Sequence, residues 1–249
     1  MRKKHLDLHQ RVLNAAASQA VENVKAQHTY LHGRADASGE WGQIWSRDPW
    51  CSWGHIFGRM RGWDQVWKGS VTAYDNMAMQ NSLNVQKIYP EIGGKDPRPL
   101  MEASVHTLFT DIIEVADDGA TAKGFFYVFG LVTDITTRGP ISNWVLGSIC
   151  FDFIRENDQW KIWHALYLED IDTPAGKKWG NLDAIQEFPE MPEFAAMKDV
   201  KLAEPNVPMN LRALYTGSRP FAKLPKVPEP YDTFEHTFSY GAESQEALR

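Results

Sequence analysis

Cysteine is scarce in this chain: Cys51 and Cys150 are the only two in 249 residues, and no CxxC spacing joins them. Neither a disulfide framework nor a zinc knuckle is implied, and a reducing cytoplasm is the expected setting. Positive charge is in deficit as well. With 26 Lys and Arg against 32 Asp and Glu the formal net charge is -6, which works against non-specific attraction to nucleic acid or an anionic membrane. Long apolar runs are missing too, each being broken by Gly or charge well short of the roughly 18 residues that would cross a bilayer. The opening MRKKHLDLHQRVLNAA mixes His, Asp and Gln into its apolar positions, so it does not read as a signal peptide. No P-loop and no GxGxxG followed by a suitable acid is present, so no nucleotide cofactor is expected. His5 with His9 and His28 with His32 have the spacing of two ligands on one helix face, but neither HExxH nor a diagnostic third ligand follows, and no metal is expected.

What is present is apolar and aromatic. A hydrophobic share of 43% is enough to build a core without staples. Trp41, Trp45, Trp50, Trp53, Trp63 and Trp67 crowd into one segment together with Phe57. Bulky packing accounts for such a cluster, and so does an aromatic wall around a flat ligand, with Trp53 and Phe57 as lining.

Spacing orders the chain into helices first and strands second. Leu8, Val12, Ala15, Ala16, Ala20, Val24 and Leu31 recur at helical intervals, predicting one long helix over about 6–34. A short second helix is expected over 36–48, stopped by Pro49 because the residue before proline avoids helical geometry. A short strand pair follows over 51–62, and then a helical pattern over 63–88. From Ala103 the period changes. Four antiparallel strands are expected, Val105–Val115, Thr121–Ile135, Asn143–Arg155 and Trp160–Leu168, with Asp118-Gly119 marking the first hairpin. In the third, Ile149, Phe151 and Phe153 share one face and Cys150, Asp152 and Ile154 the other. Beyond Asp172 the composition shifts, with nine of the 14 prolines falling between Pro174 and Pro230. The chain therefore divides into a folded domain, 1–172, and an extended tail, 173–249, apolar enough to pack on the domain or on a neighbouring subunit.

The segments Asp117–Phe126 (DDGATAKGFF), Gly147–Phe153 (GSICFDF) and Asn157–Ile162 (NDQWKI), in that order behind N-terminal helices, resemble the core of SnoaL-like proteins, which share the fold of nuclear transport factor 2. The resemblance covers about 20–172. It implies an α+β fold in which a curved antiparallel sheet forms a cone-shaped barrel around the helices, with a pocket inside, and a homodimer or homotrimer. The family includes scytalone dehydratase, bile-acid dehydratases, hexachlorocyclohexane dehydrochlorinase, ketosteroid isomerase, polyketide cyclases and members without catalysis, so fold alone does not choose a reaction. Dehydratase-like members share a Tyr and an Asp near the end of the first helix and a His at the start of the first long strand; here Tyr30, Asp36 and His106 match, with a wider Tyr-to-Asp separation than the family commonly keeps.

These residues suit elimination next to a carbonyl. His106 would move the proton near neutral pH, Asp36 would orient the imidazole and stabilise its cation, and Tyr30 would donate to a developing enolate oxygen. His32, Trp53, Phe57, Tyr127, Asn143, Ser148 and His164 are the candidate substrate contacts. His164 is expected on the same strand face as Ile162, with the core, and Asp152 on the sheet surface beside Arg155. The expectation is a cofactor-independent cytoplasmic lyase or isomerase acting on a small cyclic or aromatic hydroxy compound, the alternative being a non-catalytic ligand-binding or assembly module.

Overall fold

The computed structural model describes residues 6–33, 37–55, 58–72, 83, 86–87, 89–92, 102–136 and 139–178. The expected tail therefore falls almost wholly outside the described residues, as do Asp36 and Phe57. Helix α1 runs over Leu8–Gly33 and opens where the Asp7 carboxylate accepts the Gln10 amide at 2.8 Å, an N-cap. Its buried face is Val21, Val24, Lys25, His28 and Leu31, at helical spacing. The earlier apolar positions Leu8, Val12 and Leu13 stay exposed. Helix α2 (Ala37–Ile44) is followed by a strand pair, β1 (Ser52–His55) and β2 (Gly58–Arg61). Helix α3 (Trp63–Val66) then passes into a π-helical turn over Trp67–Thr72, where the sequence predicts one continuous helix.

Four long strands follow: β3 (Glu102–Val115), β4 (Thr121–Thr136), β5 (Gly139–Glu156) and β6 (Gln159–Pro174). Among the described residues the sheet order is β2-β1-β6-β5-β4-β3, antiparallel except where β1 runs parallel to β6, and the sheet curls without closing, with β2 and β3 at its edges. Turn chemistry fixes the hairpins. Gly119 takes φ 69 in the first, and Asn157 and Asp158 take φ 48 and 61 in the last, the two left-handed residues that a tight type I′ turn needs.

Cross-strand partners share a face, so the pairing defines an interior face toward the helices and an outer face. Leu108, Val128, Phe126, Ile149, Phe151, Phe153, Ile162 and Tyr167 belong to the core with Val21 and Val24 of α1. Phe125, Cys150, Leu166 and Leu168 form a separate cluster on the outer face. Lys25 ties α1 to β3: its ammonium reaches both Asp111 oxygens at 2.9 Å and Glu22 at 2.6 Å. A bulge between Phe109 and Ile112, with Thr110 at φ 60, lies at Asp111 and breaks the alternation there.

Candidate functional site

The interior face is built in rows. His106 of β3 lies opposite Gly130 of β4, which lies opposite Val145 of β5, which pairs Asp172 of β6. The next row is Leu108, Val128, Gly147 and Glu169, and the one after it includes Phe126, Ile149 and Tyr167. Gly130 is there for a steric reason: a Cβ at that position would lie 2.5 Å from His106 Cδ2 and 3.0 Å from Nε2. The imidazole thus lies across β4, and its ring meets the Tyr167 ring edge-on at 6.2 Å between centroids. His106 is half-buried, Tyr167 buried.

Two bulges in β6 decide what joins them. The register shifts between Leu146 and Gly147 of β5 leave Asp170 as an extra residue on β6, so that Glu169 and Asp172 both come to the interior face. Burial pushes the Glu169 carboxyl up to about 8, with the Asp172 and Asp170 carboxylates adding to the rise. It is a buried acid that holds its proton at neutral pH. Its Oε2, like Asn143 Oδ1 one row beyond Val145, is buried without a hydrogen-bond partner. Neither Glu169 nor Tyr167 is among the residues singled out from sequence. The signal was the alternation in Tyr167-Leu-Glu169, which places both on one face, but a bulge that sequence does not announce was needed to bring Asp172 along.

The second bulge corrects a prediction. Asp152 pairs with His164 while Phe153 pairs with Ile162, which leaves Trp163 as the extra residue and turns His164 to the face opposite Ile162. His164 therefore stands on the outer face in a buried row with Lys123, Asp152 and Ser52, next to Arg59 and Arg61. Asp152 is fully buried there and not on the sheet surface; Arg155, exposed, pairs with Asp158 at 3.0 Å instead. Ser52 Oγ lies 2.8 Å from His164 Nδ1. Ser, His and Asp in line suggest a nucleophile relay, yet burial and then the Arg59 and Arg61 charges hold His164 down at about 3, too weak a base for that work at neutral pH. The row is a buried polar network.

Of the other predicted contacts, Tyr127 and Ser148 pair with each other on the outer face, away from His106. Trp53 is on the interior face, edge-on to Trp45 at 6.1 Å. His32 belongs to the last turn of α1, and its side chain lies outside the described residues. Tyr30 is 62% exposed. His28 packs its ring edge-on against Phe151 at 5.2 Å, and among the described residues no three His, Cys, Asp or Glu side chains converge to hold a metal. A surface cleft of about 220 Å³ lined by Arg47, Trp63, Asp64, Trp67 and Lys68 contains none of these residues. Among the described residues, no helix is long and apolar enough to cross a membrane.

The sequence model of a SnoaL-like domain matches residues 14–165. Similar solved structures include a type 2 hexachlorocyclohexane dehydrochlorinase, 16% identical over 71% of this chain and 99% of that one with a TM-score of 0.48. Another is a nuclear transport factor 2-like protein from Salmonella enterica serovar Typhimurium, 18% identical over 66% and 99%, TM-score 0.43. A third is a type 3 dehydrochlorinase from Novosphingobium barchaimii, 16% identical over 69% and 97%, TM-score 0.47. No curated protein matches the chain. All three TM-scores fall below 0.5, so the assignment rests on the domain match, which spans more than half of the sequence.

Proposed function

Because this chain belongs to the SnoaL-like family, which includes dehydratases and isomerases, we propose that it is a cofactor-independent lyase of the dehydratase type acting on a cyclic or aromatic hydroxy compound inside the curled sheet. The observation that carries the reading is His106, laid across Gly130 on the interior face with the Tyr167 ring against it. An imidazole held there takes a proton from the carbon next to a carbonyl, and a nearby phenol donates to the oxygen on which charge develops. In this reading Tyr167 takes the part that the sequence assigns to Tyr30, whose ring is mostly in solvent. Asp36 keeps its role as orienter of His106, and Asn143 and Trp53 are the interior contacts for substrate. Supports for a homodimer or homotrimer are the apolar side chains left open on the outer face, Val105, Phe129, Leu131 and Trp144, with Phe129 and Trp144 stacked at 5.6 Å. A cytoplasmic setting agrees with two buried cysteines that no disulfide joins to each other.

The test is a thermal-shift screen of hydroxylated cyclic and aromatic compounds on wild type and His106→Ala, with turnover measured for every hit. The variant is expected to bind the hits and to turn them over about a hundredfold or more slowly. Hits that bind both forms alike and react with neither overturn the lyase reading in favour of a binding module. Hits that wild type isomerises without loss of water reassign the same groups to proton transfer.

A further inference from the structure

Elimination of water needs two proton transfers, one from carbon and one to the departing oxygen, because hydroxide is a poor leaving group. His106 accounts for the first. Among the described interior residues near it, Asn143 has no transferable proton, the Tyr167 phenol is assigned to the enolate oxygen, and Asp172, in the row of His106, acts as a charge that raises Glu169. Glu169 stands two residues from Tyr167 on the same strand and face, opposite the bare backbone of Gly147, with 8% of its surface exposed. One of its oxygens is buried without a hydrogen-bond partner. An unpaired polar atom at such depth is costly unless something else satisfies it.

We propose that Glu169 is the catalytic acid that protonates the leaving hydroxyl, facing His106 across the Gly130 and Gly147 positions of the interior face. This deepens the lyase reading and rests on it. The step balances as follows: neutral His106 takes the proton from carbon, the C–H electron pair becomes the new C=C bond, the C–O bond breaks, and the oxygen leaves as water with the Glu169 proton. Imidazolium and carboxylate remain, and one proton passes back through solvent between turnovers. The carboxyl suits this task because burial, and then the neighbouring Asp172 and Asp170, keep it protonated up to about pH 8.

A leaving-group comparison tests the proposal. Wild type and Glu169→Gln are assayed on β-hydroxycyclohexanone and on β-(para-nitrophenoxy)cyclohexanone, which lose water and nitrophenoxide respectively; nitrophenoxide departs without a proton. The variant is expected to lose about a hundredfold or more on the hydroxy ketone and to keep its rate on the nitrophenoxy ketone. Equal slowing of both, or of neither, overturns the role of Glu169 and leaves the lyase reading standing. If wild type eliminates neither, the lyase reading itself falls, and the proposal with it. Should Glu169→Gln not fold, wild type alone decides through its pH profiles. Water elimination must fall as pH rises through about 8 while nitrophenoxide elimination does not, and a shared profile overturns the proposal.

Discussion

At the scale of single residues, burial and charge set what each side chain does. Phe151 is fully buried among His28, Phe126 and Phe153, so it holds α1 to the middle of the sheet. Phe151→Ala is expected to cost about 3–5 kcal/mol, since the cavity adds to the lost transfer energy. In urea unfolding this should appear as a lower midpoint with unchanged slope. The thiols are equally constrained. Cys51 and Cys150 are both buried, and burial pushes the Cys51 thiol up to about 12. Thiol reagents should modify neither in the native protein at neutral pH and both after denaturation, as read by mass spectrometry.

Between elements, two glycines meet different neighbours and should fail differently. A Cβ on Gly130 meets the end of the His106 ring at 2.5 Å, whereas a Cβ on Gly147 meets the Leu168 carbonyl oxygen of β6 at 2.3 Å. A ring can swing away; a backbone in a paired strand cannot. Gly130→Ala is expected to remove activity with at most about 1–2 kcal/mol of stability, and Gly147→Ala to lose about 3 kcal/mol or more by prising β5 from β6. Melting curves and turnover measured side by side separate the two. Much of this level was legible beforehand: the order of helices and strands, the Asp118-Gly119 turn and the two faces of β5 all follow from side-chain periodicity. The π-helical turn at Trp67–Thr72 and the bulges of β6 were not, because each adds a residue without altering local composition.

For the molecule as a whole, two buried groups of opposite tendency shape stability against pH. Folded Glu169 holds a proton up to about 8 that the unfolded chain releases near 4.5, so its contribution is full below 4.5 and is lost as pH rises to 8. Folded His164 stays neutral down to about 3 where the unfolded chain takes a proton near 6.5, so its contribution is full above 6.5 and is lost as pH falls to 3. The two slopes oppose each other between 4.5 and 6.5. From this pair a plateau is expected there, with stability falling on both sides. Glu169→Gln should flatten the alkaline limb and His164→Asn the acid one, as followed by melting temperature across pH.

The sequence by itself determined the α+β class, the family, the succession of the four long antiparallel strands and the placing of His106 at the start of the first of them, because hydrophobic period and turn residues are local properties written directly in the chain; that β1 joins β6 in parallel was decided by the tertiary structure. Only the tertiary structure decided which polar residues meet. It moved His164, Tyr127 and Ser148 to the outer face, buried Asp152, left Tyr30 exposed, and brought Tyr167 and Glu169 to the face of His106. For His164, Tyr167 and Glu169 the physical reason is that a strand alternates with period two, so one bulged residue reverses the face of everything beyond it until the next bulge, and the pairing that selects a bulge is made with residues distant in sequence.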